Sequence, residues 1–173
     1  DPLVSETNNP ALPITGTRAP NTEIWIQYQG ADQKLLVDVG SEVKWSGNLD
    51  LSEGDNKFVL FASYKGGGSV SPATELVAVI LDTIPPNPPV VENAPEIVSV
   101  DEAGAATVDL TGTKDENSDL RVAGTSVVQL NAETAWTTTV SLAAGENSIS
   151  LTSADDVGNI STATVISIFG SGI

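Results

Sequence analysis

Two residue types with versatile chemistry are missing from this 173-residue chain, which has no cysteine and no histidine. Without cysteine there is no disulfide and no thiolate nucleophile. Without histidine there is no imidazole metal ligand and no serine–histidine catalytic pair. The lack of cysteine also makes the chain indifferent to the redox state of its compartment, so it neither requires nor excludes secretion.

The other common routes to catalysis have no clear sequence pattern either. The 23 acidic residues are spread over predicted turns, so carboxylate pairs of the kind that hydrolyse glycosides are expected by chance. The run Gly66-Gly67-Gly68 is not followed by Lys-Ser/Thr or by a helix, so it does not form a phosphate-binding loop. We therefore expect that the chain is not an enzyme.

Positive charge and long apolar runs are also scarce. Only 7 residues are basic, and the net charge is −16. Such a surface repels nucleic acid phosphates and anionic membranes, so we expect no nucleic acid partner. No apolar run approaches the roughly 18 residues of a membrane span, so we expect no membrane insertion.

Proline, in contrast, is concentrated in one stretch. Four of the ten prolines lie within residues 85–89, in the sequence Pro85-Pro86-Asn87-Pro88-Pro89. Proline fixes φ and has no N–H, so neither a helix nor a central strand continues through this stretch. Consecutive prolines favour an extended, semi-rigid path. The sequence therefore predicts a module at 1–83, a proline-rich linker at 84–89 and a second module at 90–173.

The same pattern occurs on both sides of this linker. At an offset of 96, Ile14-Thr15-Gly16-Thr17 matches Leu110-Thr111-Gly112-Thr113. At an offset of 91, Trp45 matches Trp136 and Gly54-Asp55-Asn56 matches Gly145-Glu146-Asn147. The change of offset predicts about five extra residues between Gln27 and Val37 in the first copy. Self-similarity of this length is typical of stacked modules.

Each copy alternates apolar and polar residues over short segments, which is the period of a β-strand. About seven such segments per copy, separated by turns and without helical periodicity, predict an all-β fold of two β-sandwiches. Ile24 and Ile26 match apolar residues in the second copy, so they define a core face. Trp45 and Trp136 lie in apolar stripes, and we expect both to pack in the cores.

The motifs of the second copy resemble the bacterial immunoglobulin-like repeats of large secreted surface proteins. They are Leu110-Thr111-Gly112-Thr113, then Trp136, then Leu142-x-x-Gly145-Glu146-Asn147, then Asp155-x-x-Gly158-Asn159-x-Ser161. The first copy has a weaker version that departs at its tip, where Lys65 and three glycines replace the aspartates. The resemblance implies two tandem immunoglobulin-like sandwiches.

The same resemblance implies an exported bacterial protein, with the chain outside the cell or on its surface. There it would act as a stalk or adhesion segment. Its partners would be a surface protein or glycan of a host or neighbouring cell, and further modules of the same chain. The alternative function is an accessory carbohydrate-binding region of an extracellular hydrolase.

Trp25 is the strongest candidate for ligand contact. It lies between Ile24 and Ile26 in a predicted strand, so its side chain is expected on the opposite, outward face. Together with Tyr28, it could stack on a sugar ring or anchor a protein partner. The alternative is that the five-residue insertion nearby covers it.

Asp155, Asp156 and Asn159 are candidate calcium ligands. Calcium takes six to eight oxygen ligands, and these three residues offer oxygens on a turn that Gly158 allows to curl. In some repeats of the family this tip approaches a neighbouring linker, where Asp82 would add a ligand. The alternative is a plain hairpin, in which Asp and Asn bond their own backbone. No cation is expected at the glycine-rich tip of the first copy, and no other cofactor is expected in either copy.

Overall fold

In the computed structural model, residues 5–65 and 70–172 are described. The chain divides into two compact units, Asp1–Thr83 and Ile84–Ile173. Strands and the turns between them make up the described residues, and none of these residues forms a helix that could cross a bilayer. The predicted glycine-rich tip at 66–68 lies outside the described residues, and so does the expectation that it binds no cation.

The first unit contains seven strands in two sheets. They are β1 (Ser5–Thr7), β2 (Ala11–Thr17), β3 (Thr22–Tyr28), β4 (Gln33–Gly40), β5 (Lys44–Asp50), β6 (Gly54–Tyr64) and β7 (Val77–Leu81). One sheet has the order β1-β7-β6-β3-β4, and β2 pairs with β5 in the other. The pairing is antiparallel except between β1 and β7, which run parallel.

The second unit contains eight strands in the same arrangement. They are β8 (Val90–Asn93), β9 (Ile97–Ser99), β10 (Ala105–Thr113), β11 (Ser118–Val122), β12 (Thr125–Asn131), β13 (Ala135–Ala143), β14 (Gly145–Ala154) and β15 (Thr164–Ser171). The sheets have the orders β12-β11-β14-β15-β9 and β13-β10-β8. In the larger sheet, β9 and β15, which come first and last along the chain, again run parallel.

Each unit buries one apolar cluster between its two sheets. Because side chains alternate across a strand, every second residue of the central strands points into this layer. The first cluster is formed by Ile26, Leu49, Phe58 and Val79. The second is larger and is formed by Leu110, Leu120, Trp136, Val140, Leu142, Ile149, Leu151 and Ile168. Two separate cores allow each unit to be stabilised by its own packing.

The matched glycine and tryptophan residues pack against each other in both units. Gly112 pairs with Trp136 across β10 and β13, and Gly16 pairs with Trp45 across β2 and β5. A Cβ atom on either glycine would overlap the indole ring of its partner. The predicted core position is confirmed for Trp136, which is 4% exposed, whereas Trp45 is half-buried and lies outside the central cluster.

The predicted five-residue insertion lengthens the hairpin of β3 and β4. This hairpin spans residues 22–40, whereas its equivalent in the second unit spans 118–131. The second hairpin turns at Ala123 and Gly124, both with positive φ, as in a tight two-residue turn. The longer hairpin carries Tyr28, which therefore has no counterpart in the second unit.

The proline-rich segment 84–89 belongs to the second unit. The backbone N–H of Asn87 donates to the Asp115 carboxylate at 2.8 Å, and the Pro89 carbonyl accepts a 2.6 Å hydrogen bond from the Thr164 hydroxyl. Pro89 is buried. Local proline chemistry predicts a stiff, extended path, but it gives no information about these tertiary partners.

Candidate functional site

Trp25 lies on the outer face of the larger sheet of the first unit. On β3, Ile24 and Ile26 are 4% and 1% exposed, while Trp25 between them is half-buried. The Trp25 indole N–H donates to the Glu23 carboxylate at 3.3 Å. Glu23 is itself buried, so this hydrogen bond holds the ring against the sheet.

Three apolar side chains lie near Trp25 on the neighbouring strands. Leu35 of β4 and Phe61 of β6 are its cross-strand partners, and Val59 shares the outward face of β6 with Phe61. Leu35 is 39% exposed, and Phe61 and Val59 are half-buried. We call these four residues the Trp25 face. The hairpin insertion thus supplies Leu35 beside Trp25 and leaves the indole partly accessible.

The second unit places polar groups on the equivalent face. Arg121 takes the position of Trp25 and donates to Asp119 at 2.8 Å, as Trp25 donates to Glu23. Thr152 takes the position of Phe61 as the cross-strand partner. At these positions the first unit therefore has apolar, partly exposed side chains where the second has polar ones, and an exposed apolar surface is the kind that binds a partner or ligand.

Tyr28 lies on the other face of β3 and does not meet Trp25. Its ring packs against Phe58, with centroids 5.6 Å apart, and its hydroxyl donates to the Asp50 carbonyl at 2.9 Å. Burial raises the pKa of Tyr28, and the nearby Asp50 carboxylate adds to this. The two predicted contact residues therefore belong to different surfaces.

A shallow cavity of about 470 Å³ lies beside Tyr28, with Asp50, Ser52 and Lys57 among its lining residues. Lys34 pairs with the Asp50 carboxylate at 2.6 Å near the same place, and both side chains are exposed. Exposed pairs of this kind contribute little to stability. Any contact that Tyr28 makes with a ligand would occur in this polar cavity, separately from the Trp25 face.

Asp155 closes the predicted tip of the second unit. One of its carboxylate oxygens accepts the backbone N–H groups of Gly158 and Asn159, each at 2.8 Å. The other accepts the Asn159 side-chain amide at 2.9 Å. A carboxylate has about four acceptor positions, so three are already in use. Within 5–65 and 70–172, no three His, Cys, Asp or Glu side chains are grouped closely enough to hold a metal ion.

Asp82 follows β7 in the first unit, and its backbone N–H donates to the Thr7 carbonyl at 2.9 Å. This hydrogen bond extends the parallel β1–β7 pairing by one step. Asp156, the remaining candidate ligand, is exposed on the tip beside Asp155.

Lys114 is a structural cation that sequence reasoning missed. It is 5% exposed, and its ammonium donates to the carbonyls of Asp115, Asn131 and Glu133 at 3.3, 3.3 and 2.7 Å. Burial lowers the pKa of Lys114, while nearby carboxylates oppose the shift.

Arg18 occupies the matching position in the first unit and donates to the carbonyls of Asp38 and Glu42. Both basic residues directly follow the Thr-Gly-Thr motif, and this shared position in the two copies could have indicated a common structural role.

We expect Lys114→Met to destabilise the second unit by about 2–3 kcal/mol, because three carbonyls lose a charged donor while the aliphatic stem is kept. Chemical denaturation followed by the amide exchange of β10–β15 measures this. Lys57→Met is the matched control, since Lys57 is exposed and lies 4.0 Å from Asp55. Equal losses in both variants would show that the carbonyl contacts of Lys114 contribute nothing.

No family model matches the sequence, and a search of the curated proteins finds no match. Among solved structures, the chain is similar to the fibronectin(III)-like modules of Clostridium thermocellum CbhA. That likeness has a TM-score of 0.58 and 15% identity, and it covers 99% of this chain and 92% of the other. The fold is therefore that of fibronectin(III)-like and immunoglobulin-like β-sandwiches, and the predicted fold class is confirmed.

Two animal proteins also match in the structural comparison. The FN1–FN3 domains of chicken CNTN1 match with a TM-score of 0.46 and 12% identity, covering 98% of this chain and 66% of that chain. The ligand-binding domain of human OSCAR matches with a TM-score of 0.35 and 15% identity, covering 94% and 93%.

Proposed function

We propose that this chain is a non-catalytic, load-bearing pair of modules in an exported bacterial surface protein, where it serves as a stalk or adhesion segment. The observation that carries this proposal is the parallel pairing of β1 with β7 and of β9 with β15. In the first unit, the first described strand is thereby joined to the last strand; in the second unit, the last strand, β15, is joined to the second strand, β9.

This pairing determines how a unit responds to tension. When two parallel strands are pulled from opposite ends of the chain, the hydrogen bonds between them are loaded together in shear. In an antiparallel hairpin pulled open at its ends, they break one at a time. The β9–β15 ladder includes the bonds from Phe169 N–H to Glu96 and from Val100 N–H to Ser171, at 2.9 and 3.0 Å. A unit with this geometry resists extension, as a stalk requires.

The charge and composition agree with an extracellular location. A net charge of −16 keeps modules soluble and separate and disfavours nucleic acid and anionic membranes. The partners we propose are further modules of the same chain and a protein or glycan on a host or neighbouring cell. No cofactor other than calcium is proposed.

Single-molecule force spectroscopy of the whole chain tests this function. Because the chain has no cysteine, one cysteine added at each end provides unique attachment points. We expect two separate unfolding events, each releasing about 26 nm of chain for a unit of this length. Gradual extension without distinct events would contradict a load-bearing role.

A second candidate function is carbohydrate binding by the Trp25 face. The supporting observation is that Trp25 remains partly accessible among Leu35, Val59 and Phe61, while the second unit has Arg121 in its place. A flat indole presents a face on which a sugar ring can stack. This function would suit an accessory region of an extracellular hydrolase.

We expect Trp25→Ala to abolish sedimentation with insoluble cellulose or chitin while costing the fold less than about 1 kcal/mol, as is usual for partly exposed positions. Co-sedimentation and thermal melting measure the two effects. Arg121→Ala, at the equivalent position of the second unit, is the matched control and should retain binding. If wild type and Trp25→Ala bind equally, or neither binds, carbohydrate recognition by this face is excluded.

Calcium binding by Asp155, Asp156 and Asn159 stays a prediction, beside the plain hairpin as the alternative. If calcium binds, the melting temperature of the second unit rises with added calcium and falls with chelator. Asp155→Asn then removes this response, although its side-chain oxygen can still accept the two backbone N–H groups. If the turn is only a hairpin, calcium has no effect, and Asp155→Ala costs about 1–2 kcal/mol with or without the ion.

A further inference from the structure

Among the described residues, the smaller sheet of the first unit has an edge without a strand partner, whereas the equivalent edge in the second unit is paired. In the second unit, β10 pairs with β13 on one side and β8 on the other. In the first unit, β2 pairs with β5, and no other strand among residues 5–65 and 70–172 pairs with it. One side of β2 therefore has no strand partner in the described part of the chain.

The residues on this edge follow from the pairing with β5. Arg18 N–H donates to the Val43 carbonyl, and Leu51 N–H donates to the Pro10 carbonyl, so the even-numbered residues of β2 face β5. Thr15 and Thr17 consequently direct their backbone groups to the open edge. Pro13 also lies on this edge, but it has no N–H, so it limits the pairing surface to the short stretch from Thr15 to Thr17.

A cavity of about 560 Å³ lies along this stretch. It is lined by Thr15, Gly16, Thr17, Lys44, Trp45 and Ser46. Beside Gly16, the three atoms nearest to an added Cβ all belong to the Trp45 ring. The edge thus combines unpaired main chain, an aromatic wall and a glycine that allows another backbone to approach.

In the second unit, the same place is filled by an extended segment that begins after Pro89. Val90 is opposite Thr113, and Val91 is opposite Gly112. The Val90 carbonyl oxygen occupies the space where a Cβ on Gly112 would lie. The Asn93 side chain accepts hydrogen bonds from the backbone N–H and the hydroxyl of Thr111, the equivalent of Thr15.

We propose that the edge of β2 at Thr15–Thr17 accepts an added β-strand from a neighbouring module. The occupant is an extended, proline-led segment of the type Pro-Val-Val-acidic-Asn, with the chemistry of residues 89–93. Main-chain hydrogen bonds supply the affinity in such strand addition, and the side-chain pockets supply the specificity. The Trp45 wall receives an apolar residue at the position of Val91, and Thr15 receives the asparagine at the position of Asn93.

The charge beside the cavity favours the same occupant. Lys44 lines it, whereas the second unit has Ala135 at the matching pair position. Residues 82–93 include the segment 89–93 on which the proposed donor strand is based, and they contain two acidic residues and no basic residue. A donor of this composition therefore complements Lys44.

Peptide binding tests this proposal. The probe is a fluorescent peptide with the sequence of residues 86–95, Pro-Asn-Pro-Pro-Val-Val-Glu-Asn-Ala-Pro, added to the whole chain up to about 1 mM. We expect saturable binding by anisotropy, and NMR shifts at Thr15, Thr17 and the Trp45 indole. A peptide in which alanine replaces the asparagine that follows glutamate should bind about tenfold more weakly, because Thr15 loses the side-chain acceptor of its hydrogen bonds.

A peptide with aspartate replacing the second valine is the matched control and should not bind, since it would place a charge against Trp45. These peptide changes leave the protein intact, so folding does not affect their result. On the protein side, Gly16→Ala should weaken binding, whereas Gly172→Ala should not. No binding at about 1 mM, equal binding by all peptides, or shifts at Thr111–Thr113 in place of Thr15–Thr17 would overturn the proposal.

Discussion

Replacing Gly112 with alanine is expected to destabilise the second unit by about 3 kcal/mol, at the upper end of the cost of overpacking a core. The added Cβ would overlap the Val90 carbonyl oxygen and approach the Trp136 ring to 2.6 Å. The carbonyl belongs to β8 and cannot rotate away as a side chain does. Relief therefore requires that β8 separate from β10.

The equivalent change in the first unit should cost less. At Gly16 the three atoms nearest to the new Cβ are ring atoms of Trp45, 2.6–2.8 Å away, and a half-buried ring can shift. We expect about 1 kcal/mol for Gly16→Ala and no measurable change for Gly172→Ala, where nothing lies within 4 Å. Urea denaturation with amide exchange resolved for each unit measures all three. Equal losses at Gly112 and Gly16 would show that the β8 carbonyl does not matter.

Trp136→Ala is expected to destabilise the second unit by about 3–5 kcal/mol, the cost of removing a large aromatic side chain from a core. Trp136 is 4% exposed and packs in the cluster with Leu110 and Leu142. Trp25→Ala in the first unit should stay below about 1 kcal/mol, because Trp25 lies outside the core cluster.

Trp136→Phe separates packing from hydrogen bonding. The Trp136 indole nitrogen is buried, and no partner for it is found in the described part of the chain. Phenylalanine therefore removes volume but no hydrogen bond, and we expect a smaller loss than for alanine. The same chemical denaturation measures it. If phenylalanine proved as costly as alanine, the indole nitrogen would have a partner that contributes to stability.

The sequence predicted the sandwich fold and several of its details for physical reasons that are local. Strand alternation placed Ile24 and Ile26 in the core, because the period of two is a property of the strand itself. The change of repeat offset located the insertion, which the structure shows as a longer β3–β4 hairpin. The matched Gly54 and Gly145 both have positive φ, which glycine adopts without a steric cost.

Features that depend on distant partners were not predictable. Tyr28 was grouped with Trp25 because the two are close in sequence, but an odd spacing places them on opposite faces. The role of Lys114 could not be read from the sequence, because its three carbonyl acceptors come together only in the folded unit. The glycine of the Thr-Gly-Thr motif was recognised as a repeated residue, but its contact with tryptophan needed the β10–β13 register.

The turn asparagines are an intermediate case. Asn56 and Asn147 were part of a recognised turn motif, yet their role is more specific. The side-chain amide of each donates to two backbone carbonyls of its own turn, and the side-chain oxygen accepts a backbone N–H. An amide has both donors and an acceptor, so asparagine fits this place and aspartate does not.

The most direct measurement of the central claim is the unfolding force of two proline variants of the second unit, each pulled from the chain ends. Val98→Pro removes an amide N–H from the parallel β9–β15 ladder, which we propose resists the tension after β8 has separated from β10. Gln129→Pro alters β12, the opposite edge strand of the same sheet, which does not carry it. We predict that one of the two unfolding events falls in force in Val98→Pro, while both events keep their force in Gln129→Pro, even if the two variants lose similar equilibrium stability. Equal forces in the two variants would contradict the proposal that the parallel strand pairs make this chain load-bearing.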